Sequence, residues 1–450
     1  MKIRFYNARI LQLEDDLSFR ILHGELWVED TTISYIGPSV PETGIPCQDS
    51  GAEHIDISHQ KREHSDAKVA WDQEIDVEGN LLLPGFKNAH THSAMTFLRS
   101  AADDLPLQKW LFEAVLPREA KLTLDDEYWL AALANLEYLT SGITTIFDMY
   151  LQGQASMAKI CTEMGMRVNM VDSLNDFGGS IREMEENYLK YNAFHPLVSY
   201  TLGVHAEYTT KRNLLEQVAE LTAKYRAPFF THNAETKHEV LECRKRYGLT
   251  PTALFEKLGL YDFGGGAYHG VWLEPDDITI LADKKLSVVT NPSSNLKLAS
   301  GIAPIQSLLD AGVNIAIGTD GPASNNCLDM FREMFLVTGL AKVREMDATA
   351  VDADQVLYMA TTGGAKACNL PQCDRLAVGK QADIIMIDLE QPNMQPLQNI
   401  PKNIVYSGSK QNVKMTMIAG KILYHDGTFD VGFAPKEIYE QVEKVVARIM

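Results

Sequence analysis

From Leu81 onward the chain alternates short apolar or β-branched runs with longer amphipathic segments, and this alternation restricts the fold more than any other feature of the sequence. Eight runs read as strands, at 81–90, 143–149, 167–172, 197–204, 228–232, 267–273, 286–291 and 313–319. Strands separated by helix-length segments are expected to run parallel, because the connection has room to cross back over the sheet. Eight such units predict an α/β fold, one (β/α)8 TIM barrel rather than an open doubly wound sheet. The first helix is well marked. Thr123 and Asp126 can form a capping box, Leu130, Leu133, Leu136 and Leu139 keep a roughly helical spacing, and Gly142 supplies a stop.

The two chain ends read differently. Gly24–Asp30 and Thr32–Gly37, then Ala382–Asp388, Ile404–Ser407, Val413–Met417 and Ile418–Leu423, are β-rich runs. They predict a small β-sandwich formed by residues 1–83 and 376–450 around a catalytic barrel of 84–375, with an amphipathic helix at about 435–449 closing the chain. The stretch 41–74 is polar and carries Pro41, Pro46, His54, His59 and His64. It reads as a solvated insertion rather than a metal tract, since no scaffold converges its histidines.

Composition narrows the partners. A formal net charge of −19 repels phosphate backbones and anionic membranes, so no nucleic-acid or membrane partner is expected. No apolar run approaches the ~20 residues of a membrane span. Met1 to Asn7 lacks the apolar core of a signal peptide, and the six cysteines form no Cys-x-x-Cys pair. A cytoplasmic protein with reduced thiols, Cys327 among them, is the expectation.

The chemistry lies at strand ends. Residues i and i+2 of a strand face the same way, so His90 and His92 in Asn88-Ala89-His90-Thr91-His92 can both project into the barrel mouth. A His-x-His alone is weak evidence. Here Thr231-His232-Asn233-Ala234-Glu235, Tyr268-His269-Gly270 and Gly318-Thr319-Asp320-Gly321 place further ionisable groups at the ends of the fifth, sixth and eighth strands. That is the face on which barrel active sites are built. Imidazoles and a carboxylate suit borderline-soft Zn²⁺, which would lower the pKa of a bound water toward neutrality. Glu235, three residues past His232, suits a proton shuttle. The fourth strand, Tyr200 to Glu207, ends without a lysine to bridge two metals, which favours one ion.

These motifs, in this order, resemble the amidohydrolase superfamily over nearly the whole chain, in the branch of chlorohydrolases and 5′-methylthioadenosine/S-adenosylhomocysteine deaminases. The resemblance implies one Zn²⁺ per subunit on His90, His92, His232 and Asp320, with Fe²⁺ or Mn²⁺ as alternatives. It further implies that Asp320 takes a proton from the attacking water, that His269 orients this water, and that Glu235 protonates the purine ring nitrogen. Met95-Thr96-Phe97-Leu98-Arg99, Ala102 to Leu107, Trp110-Leu111 and Pro117-Arg118-Glu119 are similar to the adenosine-derivative deaminases. By that likeness Glu119 holds the ribose hydroxyls and His205 contacts substrate. Trp110 is close enough in sequence to the first histidine pair to line the pocket. Arg167 and Arg182 are candidates to bind an amino-acid tail across a subunit interface, a surface salt bridge being the alternative for each. Glu207 departs from the proline usual in relatives and would lie near the pocket.

The expected enzyme is therefore a metal-dependent deaminase that turns a nucleoside such as 5′-methylthioadenosine, S-adenosylhomocysteine, adenosine or 5′-deoxyadenosine into the inosine derivative and ammonia, in a homo-oligomer (dimer or tetramer). Two other readings stay open. One is an amidohydrolase acting on guanine, a triazine or a cyclic amide; the other is a non-catalytic scaffold.

Overall fold

The computed structural model describes residues 1–40, 70–150 and 152–450. The expected insertion at 41–74, with His54, His59 and His64, falls largely outside them. Strand β1 (Lys2–Leu13) pairs antiparallel with β2 (Phe19–Glu29), and β2 with β3 (Thr32–Gly37). On its other side β1 runs parallel to β4 (Gln73–Asp76) and β5 (Leu81–Pro84). The pairing of β1 with β2 slips between Phe5 and Ala8, where Asn7 adopts φ 52°. Inward positions therefore change from Ile3 and Phe5 to Ala8 and Ile10, as a bulge requires.

Eight strands follow in sequential order, all parallel: β6 (Phe86–Thr91), β7 (Ile143–Tyr150), β8 (Arg167–Asp172), β9 (Val198–Ala206), β10 (Phe229–Asn233), β11 (Gly265–His269), β12 (Ser287–Thr290) and β13 (Asn314–Ile317). Phe147, Phe230, Tyr268, Val289 and Ala316 fill the interior as one buried cluster. A regular ladder does not join β13 to β6. The seam is closed past the end of β13: the Asp320 amide donates to His90 O (3.0 Å), Asn88 Nδ2 donates to Thr319 Oγ1 (2.7 Å) and the Thr319 amide donates to Asn88 Oδ1 (2.8 Å).

Strands β14 (Ile384–Ile387), β15 (Val413–Ile418), β16 (Lys421–His425) and β17 (Thr428–Phe429) complete the outer sheet, because β14 pairs antiparallel with both β5 and β15. Both chain ends thus form one nine-stranded sheet. Phe5, Ile10 and Leu26 from one end meet Ile384, Met415 and Met417 from the other in a core of their own. The terminal helix, Pro435–Ile449, buries Ile438, Val442, Val445 and Ile449. No helix among the described residues is long and apolar enough to cross a membrane.

Two expectations change. The run 81–90 is not one strand: it passes from the outer sheet to the barrel at Gly85, whose amide donates to Asp383 O (3.0 Å). A Cβ at Gly85 would fall 2.1 Å from the Thr144 side chain, so only glycine permits the transfer there. The run Ile404–Ser407 is not a strand either, because Ile400–Tyr406 is helical. Asn399 caps it by accepting the Lys402 amide (2.9 Å) and Pro401 stands in its first turn, local start signals that outweigh the β-branched content.

Candidate active site

Strand alternation sends His90 and His92 from the end of β6 into the mouth of the barrel, where His232 from β10, His269 from β11 and Asp320 beyond β13 meet them. The His90, His92 and His232 ligand atoms lie within 4.8 Å of one another, and so do those of His90, His269 and Asp320. Asp320 Oδ1 stands 3.2 Å from His92 Nε2 and 3.5 Å from His90 Nε2; Asp320 Oδ2 is 4.0 Å from His269 Nε2. His269 (φ 70°) and Asp320 (φ 58°) both turn into the left-handed region at the ends of their strands.

Neighbouring groups fix the rings. His92 Nδ1 faces Met149 O (2.7 Å), His232 Nδ1 faces His205 O (2.7 Å) and His269 Nδ1 faces Asn295 Oδ1 (2.8 Å). A carbonyl can only accept, so each Nδ1 carries a hydrogen, which leaves Nε2 as the atom each ring turns toward the centre. His90 stacks on Tyr268 at 3.8 Å between centroids, and neither of its buried ring nitrogens has a hydrogen-bond partner. Burial pushes His90 down to about 3 and His232 well below its ordinary value, so both are neutral at pH 7. Burial acts against charge on Asp320 too, but the surrounding imidazoles outweigh it and hold the carboxyl well below its ordinary range. Ser294 Oγ (2.6 Å), Ser324 Oγ (3.0 Å) and the Gly321 amide (2.8 Å) also donate to it. Converging ring nitrogens, those of His90 orphaned and those of His90 and His232 on neutral imidazoles, beside an ionised carboxylate fit a divalent cation.

Glu235 is buried, 3.9 Å from His269 Nε2, and accepts from Ser300 Oγ (3.2 Å). Burial raises its carboxyl. Its loop is held by Glu239, which accepts the amides of Ala234 (2.9 Å) and Glu235 (2.8 Å) while capping the helix Lys237–Tyr247 with Thr236.

Around this cluster opens a cavity of about 410 Å³, within the range of small-molecule sites. Trp110, Glu119 and His205 line it together with His92, His232, Glu235, His269 and Asp320. Tyr150 Oη donates to Glu119 Oε1 (2.7 Å), and His205 Nδ1 lies 2.8 Å from Thr209 Oγ1. Apolar wall is supplied by Met95, Leu107, Leu111 and Leu298. Tyr150, Tyr208 and Glu127 also line it and escaped the sequence reading. For Tyr150 a signal existed, since it ends β7 on the same rim as the histidines.

Three residues do not reach this cavity. Arg167 begins β8 at the opposite end of the barrel, buried, and both its Nε (2.8 Å) and Nη2 (3.0 Å) donate to Asp383. A guanidinium so enclosed cannot serve a ligand in a neighbouring subunit. Arg182 is exposed on the helix Ile181–Tyr191 and pairs with Glu186 (2.8 Å) one turn on, a surface salt bridge. Glu207 is buried but turned away from the cavity, held by Arg246.

Comparison with known proteins agrees with this geometry. Residues 81–423 match the model of the amidohydrolase family. A 5-methylthioadenosine/S-adenosylhomocysteine deaminase of Moorella thermoacetica is 41% identical over 430 residues, 94% of this chain and 99% of its own. A 5′-deoxyadenosine deaminase of Methanopyrus kandleri is 36% identical over 396 residues, covering 86% of this chain and 91% of its own. Among solved structures, an adenosine deaminase from Xanthomonas campestris with bound zinc superposes with a TM-score of 0.87 at 30% identity, covering 100% of this chain and 98% of its own. With the family match spanning the barrel and part of the outer sheet, and with the histidines and aspartate meeting at one point, the chain belongs to the amidohydrolase family.

Proposed function

We propose that this cavity hydrolyses the exocyclic amino group of adenosine-type nucleosides, among them 5′-methylthioadenosine, S-adenosylhomocysteine, adenosine and 5′-deoxyadenosine, to give the inosine derivative and ammonia. The observation that carries the reading is Glu119, a carboxylate in the same cavity as the histidine–aspartate cluster and Glu235. A carboxylate can accept two hydroxyls at once, which suits a ribose diol and has no use in a site for a bare ring.

His90, His92, His232 and Asp320 would hold the cation, and zinc is the ion that their nitrogen and oxygen donors and the zinc-containing relative support. Such an ion, when bound, supplies the Lewis acidity that makes water a nucleophile near neutral pH. The remaining work falls to side chains. Asp320, ionised, accepts a proton from the water that adds to C6 of the adenine ring. His269, its tautomer set by Asn295, orients that water. Glu235, whose buried carboxyl holds a proton more tightly than usual, donates to the ring nitrogen beside C6 and then takes the remaining proton of the added hydroxyl, while Asp320 passes its proton to the departing amine. The C6–N bond breaks and ammonia leaves. Two carboxyl groups are thus pushed apart by their surroundings into base and acid.

Ammonia release and the ultraviolet change from adenine to hypoxanthine, followed for the four nucleosides and for guanine and cytosine, test this. Turnover of adenosine-type nucleosides is expected, with zinc found by metal analysis. Turnover of guanine without any nucleoside would overturn the substrate class.

A further inference from the structure

The carboxylate assigned to the ribose stands where little regular structure holds it. Glu119 ends a helix of four residues, Leu116–Glu119, and is only half-buried. None of the described residues lining the cavity is lysine or arginine, so no basic side chain there fixes its carboxyl group. What holds it among the described residues is Tyr150, whose Oη donates to Oε1 (2.7 Å). Tyr150 ends β7, a barrel strand paired with β8 from Thr145 to Tyr150 itself. One residue earlier, the Met149 carbonyl faces His92 Nδ1 (2.7 Å), and before it Asp148 accepts the Ser93 amide (2.7 Å). Three consecutive residues of one strand thus reach both the first histidine pair and Glu119. Burial, then the charge of Glu119, lifts the Tyr150 phenol well above its ordinary value, so the hydroxyl keeps its proton and serves the carboxylate as a donor.

A binding group on a short, irregular segment gains precision only when a rigid element locks its rotamer. We propose that Tyr150 is a positioning residue for the ribose: by pinning Oε1 of Glu119 it fixes the carboxylate in the orientation that receives the diol, and so sets the preference for ribose over sugars lacking those hydroxyls. The proposal rests on the nucleoside reading above. An ionised carboxylate offers about four acceptor positions; Tyr150 takes one and leaves enough for two hydroxyls. Burial raises the Glu119 carboxyl, while the Tyr150 hydrogen bond, followed by the field of His92, favours the ionised form that accepts both. Tyr150 takes no part in the bond changes at C6. Its effect passes through Glu119, and because β7 also seats His92, the same strand sets where the ribose lies relative to that ring.

The test measures kcat and KM for adenosine and 2′,3′-dideoxyadenosine in the zinc-loaded wild type, Tyr150→Phe, Glu119→Gln and the double variant. Tyr150→Phe keeps the ring and removes only the hydroxyl. Its KM for adenosine should rise about tenfold, the lower end of what a hydrogen bond to a charged group is worth, with kcat within about threefold of the wild type. For the dideoxy substrate, which has no diol to offer, kcat/KM should change by less than about twofold. In the Glu119→Gln background, Tyr150→Phe should add less than about twofold to the adenosine KM, because the two residues act through one hydrogen bond. Equal losses on both substrates would mark a merely structural role and overturn the proposal. A full further rise in KM on top of Glu119→Gln would overturn it from adenosine alone. A wild type that releases no ammonia from any adenosine-type nucleoside ends the nucleoside reading itself, whereas normal turnover with an unmoved adenosine KM in Tyr150→Phe ends only the role of Tyr150.

Discussion

Replacing Arg167 by methionine keeps most of the volume of the side chain and removes its charge, leaving Asp383 buried without its main partner. Burial alone would raise the Asp383 carboxyl; the Arg167 charge and its hydrogen bonds, with Lys87 beyond, hold it below its ordinary value. Removing one member of such a pair costs about 3–5 kcal/mol. Asp383 keeps the Ala419 amide (2.8 Å) and the field of Lys87, which places Arg167→Met near the lower figure, about 3 kcal/mol. An unfolding entropy of about 2.1 cal/mol/K per residue gives roughly 0.9 kcal/mol/K for a chain of this length, so Tm should fall by about 3 °C. Calorimetry of the zinc-loaded wild type, Arg167→Met, Asp383→Asn and the double variant measures this, with KM for S-adenosylhomocysteine taken on the same samples. The double variant should lose less than the two single losses combined, since the pair is one interaction. A tenfold rise in KM with Tm unmoved would refute the reasoning and return Arg167 to substrate binding.

Further outcomes follow from the same geometry. His232→Ala should abolish both bound metal and ammonia release, and retention of a full equivalent of metal would remove His232 from the ligand set. Glu235→Gln should keep its metal and lose about 10²–10⁴-fold in kcat, the span of acid–base contributions, as read by stopped ammonia assays. Glu119→Gln should raise KM for nucleosides by about 10–100-fold, because charge-assisted hydrogen bonds to the ribose are worth about 1.5–3 kcal/mol. Burial first, then Glu119, Asp148 and Asp126, raises Glu127 to about 7. The folded protein therefore holds that proton more tightly than the unfolded chain does. Its stabilisation is complete below the ordinary carboxyl pKa and is lost as pH rises through 7. Between pH 5 and pH 8 the Tm of the wild type should fall relative to Glu127→Gln; a constant difference would refute the assignment.

Much of this was legible in the residues. The alternation of strand and helix signals located the eight barrel strands, and the strand-end positions of His90, His92, His232, His269 and Asp320 located the cluster, because period-2 geometry and the polarity of a parallel barrel are local properties. Tertiary context decided the rest. The division of 81–90 at Gly85 depends on Thr144 standing opposite, 59 residues away in the chain. The helix at Ile400–Tyr406 arises from a cap and a proline whose weight against β-branched residues is settled only by packing. Arg167 looked like a ligand because its partner, Asp383, lies more than two hundred residues on, just before β14. Glu127 sits among Asp125 and Asp126, a run that reads as ordinary acidic residues opening a helix. That its carboxyl group packs against Gly153, in the loop after β7, is visible only in the fold.

The seam between β13 and β6 has a consequence for how the enzyme comes into being. The strand that shuts the cylinder also delivers Asp320, and the amide of that residue is tied to the carbonyl of His90. Two donors for one cation thus arrive from segments 230 residues apart, and only when the ring is complete. Incoming metal would clasp the first staves to the last, so holding the ion and closing the barrel become a single cooperative event. A chain ending before Thr319 should achieve neither.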